Sequence, residues 1–233
     1  MTAWPNVRPI PIDVEDVRRM AAMLAKWSIG DIWASRIQLR PGKRLAMLGM
    51  EVTKADGSDP AIIKASLVVG SEKPRGRALF VDRGVWRPVR RYAVVYVGRN
   101  APQVARHWHE NRNRAEERLA EEIGKLLLHE VTHAADPSPR MGTYQVRQLE
   151  GYAAYARHPA EVAARTQVLV QEALEEAELL SSTGINKRDR QRFFDLVVDW
   201  SKASRDEEEY MTDEQYNKLM KTIYAALVEH GYL

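Results

Sequence analysis

Residues 126–137 of the 233-residue chain read LLLHEVTHAADP, and this stretch decides how the rest of the sequence is interpreted. It lies at the end of the segment Ala115–Ala135, in which apolar residues recur at helical spacing. The Asp-Pro pair that follows is expected to end this helix. Residues four apart lie one above the other on a helix, so His129 and His133 share a face. Glu130 projects about 100° around the helix from His129. Two imidazoles on a rigid support can bind one Zn²⁺, and the glutamate beside them suits a base rather than a ligand.

The composition excludes several classes of protein. The chain has no cysteine, which excludes disulfide scaffolds, thiolate metal sites and cysteine nucleophiles. Its net charge of +3, from 35 basic and 32 acidic residues, is too small to indicate a nucleic-acid partner. The N-terminal residues lack the pattern of a signal peptide, and no apolar run approaches the about 20 residues that span a membrane. We therefore expect a cytoplasmic protein with no membrane partner.

The order of predicted elements indicates an α+β fold. Asp13 is expected to cap a first helix that ends at Ser28–Asp31. Apolar or alternating stretches separated by turn signals such as Asp82-Arg83-Gly84 then predict strands at Ile32–Leu39, Arg44–Thr53, Ala61–Val69, Arg77–Val81 and Val89–Val97. Helical periodicity follows at Ala115–Ala135, Val146–Ala156, Pro159–Ser181, Lys187–Ala203 and Thr212–His230. We expect a small antiparallel or mixed sheet that packs on the histidine-bearing helix, followed by a helical C-terminal half.

The motif His129-Glu130-Val131-Thr132-His133 resembles the HExxH zincin metallopeptidases, in which this helix packs beside a sheet with an exposed edge strand. Together with the later segment Tyr-x-x-x-Pro-x-Glu-x-x-Ala at residues 155–164, it resembles small bacterial and phage-encoded gluzincin-type domains. The resemblance covers mainly residues 91–165. We therefore predict a zincin-like metallopeptidase domain over residues 1–183 and a C-terminal helical extension over residues 184–233. The extension's apolar residues at helical spacing indicate core, a helical pair docked on the zincin body, or a partner interface.

A third metal ligand has to be chosen, because catalytic zinc typically has three protein ligands. The longer metzincin pattern fails, since Asp136 stands where its glycine would be and Pro139 where its ligand would be. The resemblance implies a glutamate on a later helix, and Glu161, in the first turn of a predicted helix, is our prediction. Glu150 is the first alternative, and Asp136 is the ligand if neither glutamate binds the metal. If Glu161 is not a ligand, its position would complement the helix dipole. Asp136 is expected to accept a ligand imidazole N–H or to belong to the helix stop.

Other candidate site residues are weaker. Tyr155 is predicted to donate a hydrogen bond to the oxyanion, as tyrosine or histidine does in zincins, although core packing is the alternative. The further candidates for this role are Tyr144, Tyr152 and His158. His107 and His109 would point the same way on a strand and could form a second metal pair, but no acidic residue or third histidine accompanies them at a recognisable spacing. The arginines between Arg83 and Arg114 are expected to form a solvated face.

These residues predict zinc-dependent hydrolysis of peptide bonds in a protein or peptide substrate. Zn²⁺ would be held by His129, His133 and Glu161, with Glu130 as the general base. An edge strand near Val94–Val97 would bind the extended substrate by backbone pairing. The alternative is a zincin-fold binding or structural protein without turnover, such as a phage component or a regulator. The motif does not separate the two, and it indicates neither the cleavage specificity nor the oligomeric state.

Overall fold

The computed structural model describes residues 13–52, 61–71, 79–87, 92–135, 156–201, 203 and 211–233. Its helices are α1 Val14–Ala34, α2 Ala101–Trp108, α3 Arg112–Ala135, α4 Pro159–Ser181, α5 Ile185–Arg188, α6 Arg190–Trp200 and α7 Asp213–Glu229. Its strands are β1 Arg44–Val52, β2 Ala61–Val69, β3 Val81–Arg87 and β4 Tyr92–Val97. The predicted α+β class is confirmed. Contacts group the chain into two compact units, Met1–Ser138 and Pro139–Leu233. None of the helices in the described part of the chain has the length and apolarity that crossing a membrane requires.

The sheet of the first unit is mixed, with the strand order β1-β2-β4-β3. The pairs β1–β2 and β3–β4 are antiparallel, whereas β2 and β4 are parallel. β3 is therefore an edge strand, and β4 lies inside the sheet. The expectation that Val94–Val97 forms the edge is wrong: both Val94 and Val95 are buried, and a strand buried on both faces is apolar throughout.

α1 packs on α3 and on the sheet. Asp13 caps it as predicted, because its carboxylate accepts hydrogen bonds from the backbone N–H groups of the next turn. The helix continues through the expected stop at residues 28–31 to Ala34, and the first residues of the predicted strand Ile32–Leu39 are helical instead. Ile29 and Ile32 are fully buried, so tertiary packing outweighs the local stop signal here.

β3 runs through residues that the sequence assigned to a turn. Asp82-Arg83-Gly84 lies inside the strand, and the pairing with β4 shifts register between Val81 and Arg83. Such an irregularity is common at sheet edges, and it accommodates polar residues that resemble a turn. The turn prediction is therefore wrong, and its three residues belong to the strand nearest the histidine-bearing helix.

The helices of the second unit share one hydrophobic core. α4 has the predicted bounds, and Thr212 forms a capping box at the start of α7. The predicted helix Lys187–Ala203 is divided at Asp189, whose side chain caps α6. The core contains buried side chains from α4, α6 and α7, among them Leu169, Ala173, Phe193, Val197, Leu219, Ile223 and Leu227. The domain boundary at residues 183/184 stays a prediction, and in the structure α4 shares its core with the C-terminal helices.

Candidate metal centre

α3 brings the two histidines of the motif together. Their Nε2 atoms lie 3.3 Å apart, and the ring planes are nearly perpendicular at 80°. The neighbouring Leu128 and Val131 are buried, so this part of the helix is packed on the side that those residues occupy. The hydroxyl of Thr132 donates to the carbonyl of Leu128 at 2.8 Å, so the buried polar group within the motif is satisfied inside the helix.

The separation of the two nitrogens fits a shared metal ion. Zinc–nitrogen bonds of about 2.0–2.1 Å in tetrahedral geometry place two ligand nitrogens roughly 3.3–3.4 Å apart. The observed 3.3 Å between the Nε2 atoms of His129 and His133 lies in this range. The same distance fits an N–H···N hydrogen bond between the two rings, so the histidine pair by itself does not identify the ion.

Glu161, in the second unit, is the third candidate ligand. One ligand atom from each of His129, His133 and Glu161 lies within 4.8 Å of the others, and this group could hold a metal ion. Glu161 is only 2% exposed although it lies in the first turn of α4. His158 caps that helix by accepting the N–H of Ala160 at 3.3 Å, which is the role the structure gives to this oxyanion candidate. Two imidazoles and a carboxylate suit zinc as well as other divalent transition metals.

Glu130 lies outside the group of three. It is 6% exposed, and its side chain contacts the backbone of Gly84 in β3. The structure thus places the predicted base where α3 meets the edge strand.

A second buried glutamate of α3 holds the start of β3. Oε2 of Glu122 accepts the backbone N–H groups of Phe80 and Val81 at 2.8 and 3.1 Å, and Oε1 accepts Arg118 Nε at 3.0 Å. Burial raises the pKa of the Glu122 carboxyl, although these donors act in the opposite direction. The carboxylate therefore ties the first residues of the edge strand to the histidine-bearing helix.

The sequence analysis missed both Glu122 and Gly84. Glu122 precedes His129 by seven residues and His133 by eleven, which are nearly whole numbers of helical turns. The position of the Glu122 carboxylate on the same helix face as the two histidines could have identified it from the sequence. Gly84 gave no such signal, because its neighbours resemble a turn.

Several candidate residues are not part of the described site. Tyr155, its alternatives Tyr144 and Tyr152, the ligand alternatives Glu150 and Asp136, and all but the last residue of the predicted helix Val146–Ala156 lie outside the described residues. His107 and His109 do not share a strand, because His107 lies in the last turn of α2 and His109 follows that helix. Residues two apart point the same way only on a strand, so the structure does not support a second metal pair there.

Comparisons of the chain with protein-family models, with curated proteins and with solved structures find no match. The resemblance to zincins therefore rests on the residues of the motif and on the geometry described above. Within the described part of the chain, the metal-ligand group found is the one formed by His129, His133 and Glu161.

Proposed function

We propose that the chain is a zinc-dependent metallopeptidase of the zincin type. The observation that carries this proposal is the 3.3 Å separation of the His129 and His133 Nε2 atoms, with Glu130 on the adjoining face of the same helix. Glu161 is the proposed third ligand, because it is buried and belongs with the two histidines to the group that could hold a metal ion. This set leaves one position of a tetrahedral ion for water or substrate.

The proposed chemistry divides between the ion and the chain. Bound Zn²⁺ would acidify a water molecule and polarise the scissile carbonyl. Glu130 would accept the proton of that water and pass it to the leaving amine. Zinc ligation does not use the Glu130 side chain, so its substitution separates metal binding from proton transfer.

The proposed substrate surface is the outer edge of β3. β4 pairs with one side of this strand, and no described strand pairs with the other. The backbone groups on that side are suited to pair with an extended peptide. This places the substrate next to Gly84 and Glu130 rather than at the interior strand β4.

Replacement of Glu130 by Gln tests the proposed function. We expect one zinc ion per chain in the wild type and in Glu130→Gln, but a loss of about 10²–10⁴-fold in cleavage of unfolded casein, because an amide cannot accept the water proton. Glu117→Gln is the matched control, since this glutamate lies on the same helix with a side chain 64% exposed. Zinc content is measured by atomic emission and cleavage by release of labelled fragments.

Two results would contradict the proposal. Wild-type turnover in Glu130→Gln would remove Glu130 as the base. Zinc binding without cleavage of casein or of a diverse peptide library would favour the binding-protein alternative instead.

A further inference from the structure

We infer that Gly84 is a positioning residue for Glu130: the side chain that residue 84 lacks would occupy the space of the Glu130 side chain. The catalytic meaning of this inference rests on the proposed function, whereas the contact itself does not. Gly84 is thus assigned a role in setting where the proposed base can hold its carboxylate.

The first observation is the space around Gly84. A Cβ atom built there would lie 2.5 Å from Oε1, 2.7 Å from Cγ and 2.9 Å from Cδ of Glu130. Real Cβ contacts essentially never fall below 3.0 Å. Because Cγ is among the close atoms, rotation of the terminal carboxylate would not relieve the overlap, and Glu130 would have to change an inner torsion.

The second observation is that the backbone does not require glycine at this position. The positive-φ glycines of the described residues are Gly42, Gly184 and Gly231, and Gly84 is not among them. Glycine inside a strand lowers stability through its conformational freedom and often marks a close approach of other atoms. The close approach at Gly84 is the one made by Glu130.

The third observation is that β3 is fixed near the contact, by α3 at the start of the strand and by β4 at Gly84 itself. Glu122 accepts two backbone N–H groups at the start of β3, and Gly84 pairs with the buried Val95 of β4. The eight residues from Glu122 to Glu130 rise about 12 Å along the helix. The three residues from Val81 to Gly84 extend about 10 Å, so helix and strand run alongside each other. An added methyl group therefore displaces the Glu130 side chain rather than the strand.

Other glycines of the same unit provide matched controls. A Cβ at Gly124 of α3 would lie 3.7 Å from the Ala21 Cβ, and one at Gly70 would lie 3.6 Å from its nearest atoms. These are ordinary van der Waals distances. Gly124→Ala thus introduces the same change on the helix that carries Glu130 without touching Glu130.

The test introduces Gly84→Ala into the wild type, Glu130→Gln and Glu130→Ala, and follows thermal unfolding of the full chain. Glutamine keeps the volume of the glutamate, so Gly84→Ala should lower the Tm by about 3 °C or more in both the wild type and Glu130→Gln. Truncation at residue 130 removes the overlap, so in Glu130→Ala the same change should leave the Tm unchanged or raise it. Gly124→Ala should leave the Tm unchanged or raise it in every background. Equal Tm changes for Gly84→Ala in all three backgrounds would overturn the inference.

Kinetics on casein separate this inference from the proposed function. If the wild type cleaves casein, Gly84→Ala should lower kcat about tenfold or more, while KM, the zinc affinity and the Gly124→Ala control stay within about threefold of the wild type. Wild-type kcat in Gly84→Ala would overturn the positioning role even if the two residues are coupled in stability. Coupled Tm changes without any cleavage would support the contact and contradict the proposed function.

Discussion

At the scale of single residues, the burial of Glu161 supports its choice as the third metal ligand. A glutamate in the first turn of a helix ordinarily complements the helix dipole from the solvent side. Glu161 is instead buried, and it belongs to the group of three residues that could hold a metal ion. We therefore predict a ligand role for Glu161 rather than a role at the helix dipole alone.

Glu161→Ala is predicted to weaken zinc binding by about tenfold or more, because a catalytic zinc site would lose one of its three protein ligands. Glu178→Ala is the control, since this residue is exposed on the same helix, α4. Glu150→Ala is expected to leave the affinity nearly unchanged. Competition with a chromophoric chelator measures the three affinities. A larger loss in Glu150→Ala than in Glu161→Ala would transfer the ligand role to Glu150.

At the scale of elements, the start of β3 is tied to α3 through Phe80. Its backbone N–H donates to Glu122, and its ring stacks on His109 with centroids 5.2 Å apart and planes 15° apart. Burial, and then the positive charge of Arg118, lower the pKa of His109. The Nε2 atom of this imidazole is buried and finds no hydrogen-bond partner among the described residues, so a proton there would lack an acceptor.

His109→Phe is predicted to reduce the dependence of stability on pH. A histidine whose pKa is lowered by folding contributes stability above its ordinary value of 6.5, and this contribution is lost as the pH falls through the lowered pKa. Phenylalanine keeps the stack on Phe80 and does not titrate. Between about pH 7.5 and pH 5, the free energy of unfolding measured with urea should therefore fall less in the variant than in the wild type. His107→Phe, at an exposed position of α2, is the control. If the free energy of unfolding falls equally with pH in the wild type and in His109→Phe, His109 does not contribute to the pH dependence.

At the scale of the whole molecule, a metal held by the folded chain should stabilise it. Zinc at about 100 times its Kd adds about 2.7 kcal/mol to the free energy of unfolding. For a chain of this size that corresponds to a rise in Tm of roughly 5–10 °C. We predict this rise in calorimetry of the wild type and its absence in the double variant His129→Ala, His133→Ala. An equal rise in both proteins would show that zinc binds elsewhere.

The sequence predicted what is local in this fold. The histidine pair, the cap at Asp13 and the bounds of α4 follow from spacings of a few residues, and the structure has them. The errors concern features set by distant parts of the chain. α1 continues to Ala34 because its last turns are buried by packing.

The position of the sheet edge and the role of Gly84 were missed for the same reason. Asp82-Arg83-Gly84 resembles a turn in the sequence. The space at Gly84 is instead limited by the side chain of Glu130, which lies on a helix much later in the sequence. The β4 segment is strongly apolar, as an interior strand of a sheet is, but the local sequence does not show which strands pair with it.

Placing both histidines on one helix has a consequence for the order of assembly. Helices form within about a microsecond, because their contacts are local. The parallel pairing of β2 with β4 and the packing of Ala21 near Gly124 join distant segments, and such contacts close later. The imidazole pair thus exists as soon as α3 does, while the sheet is still forming. If the pair binds a metal ion, the ion would stabilise α3 at this early stage, and metal availability would then affect the rate at which the native state is reached.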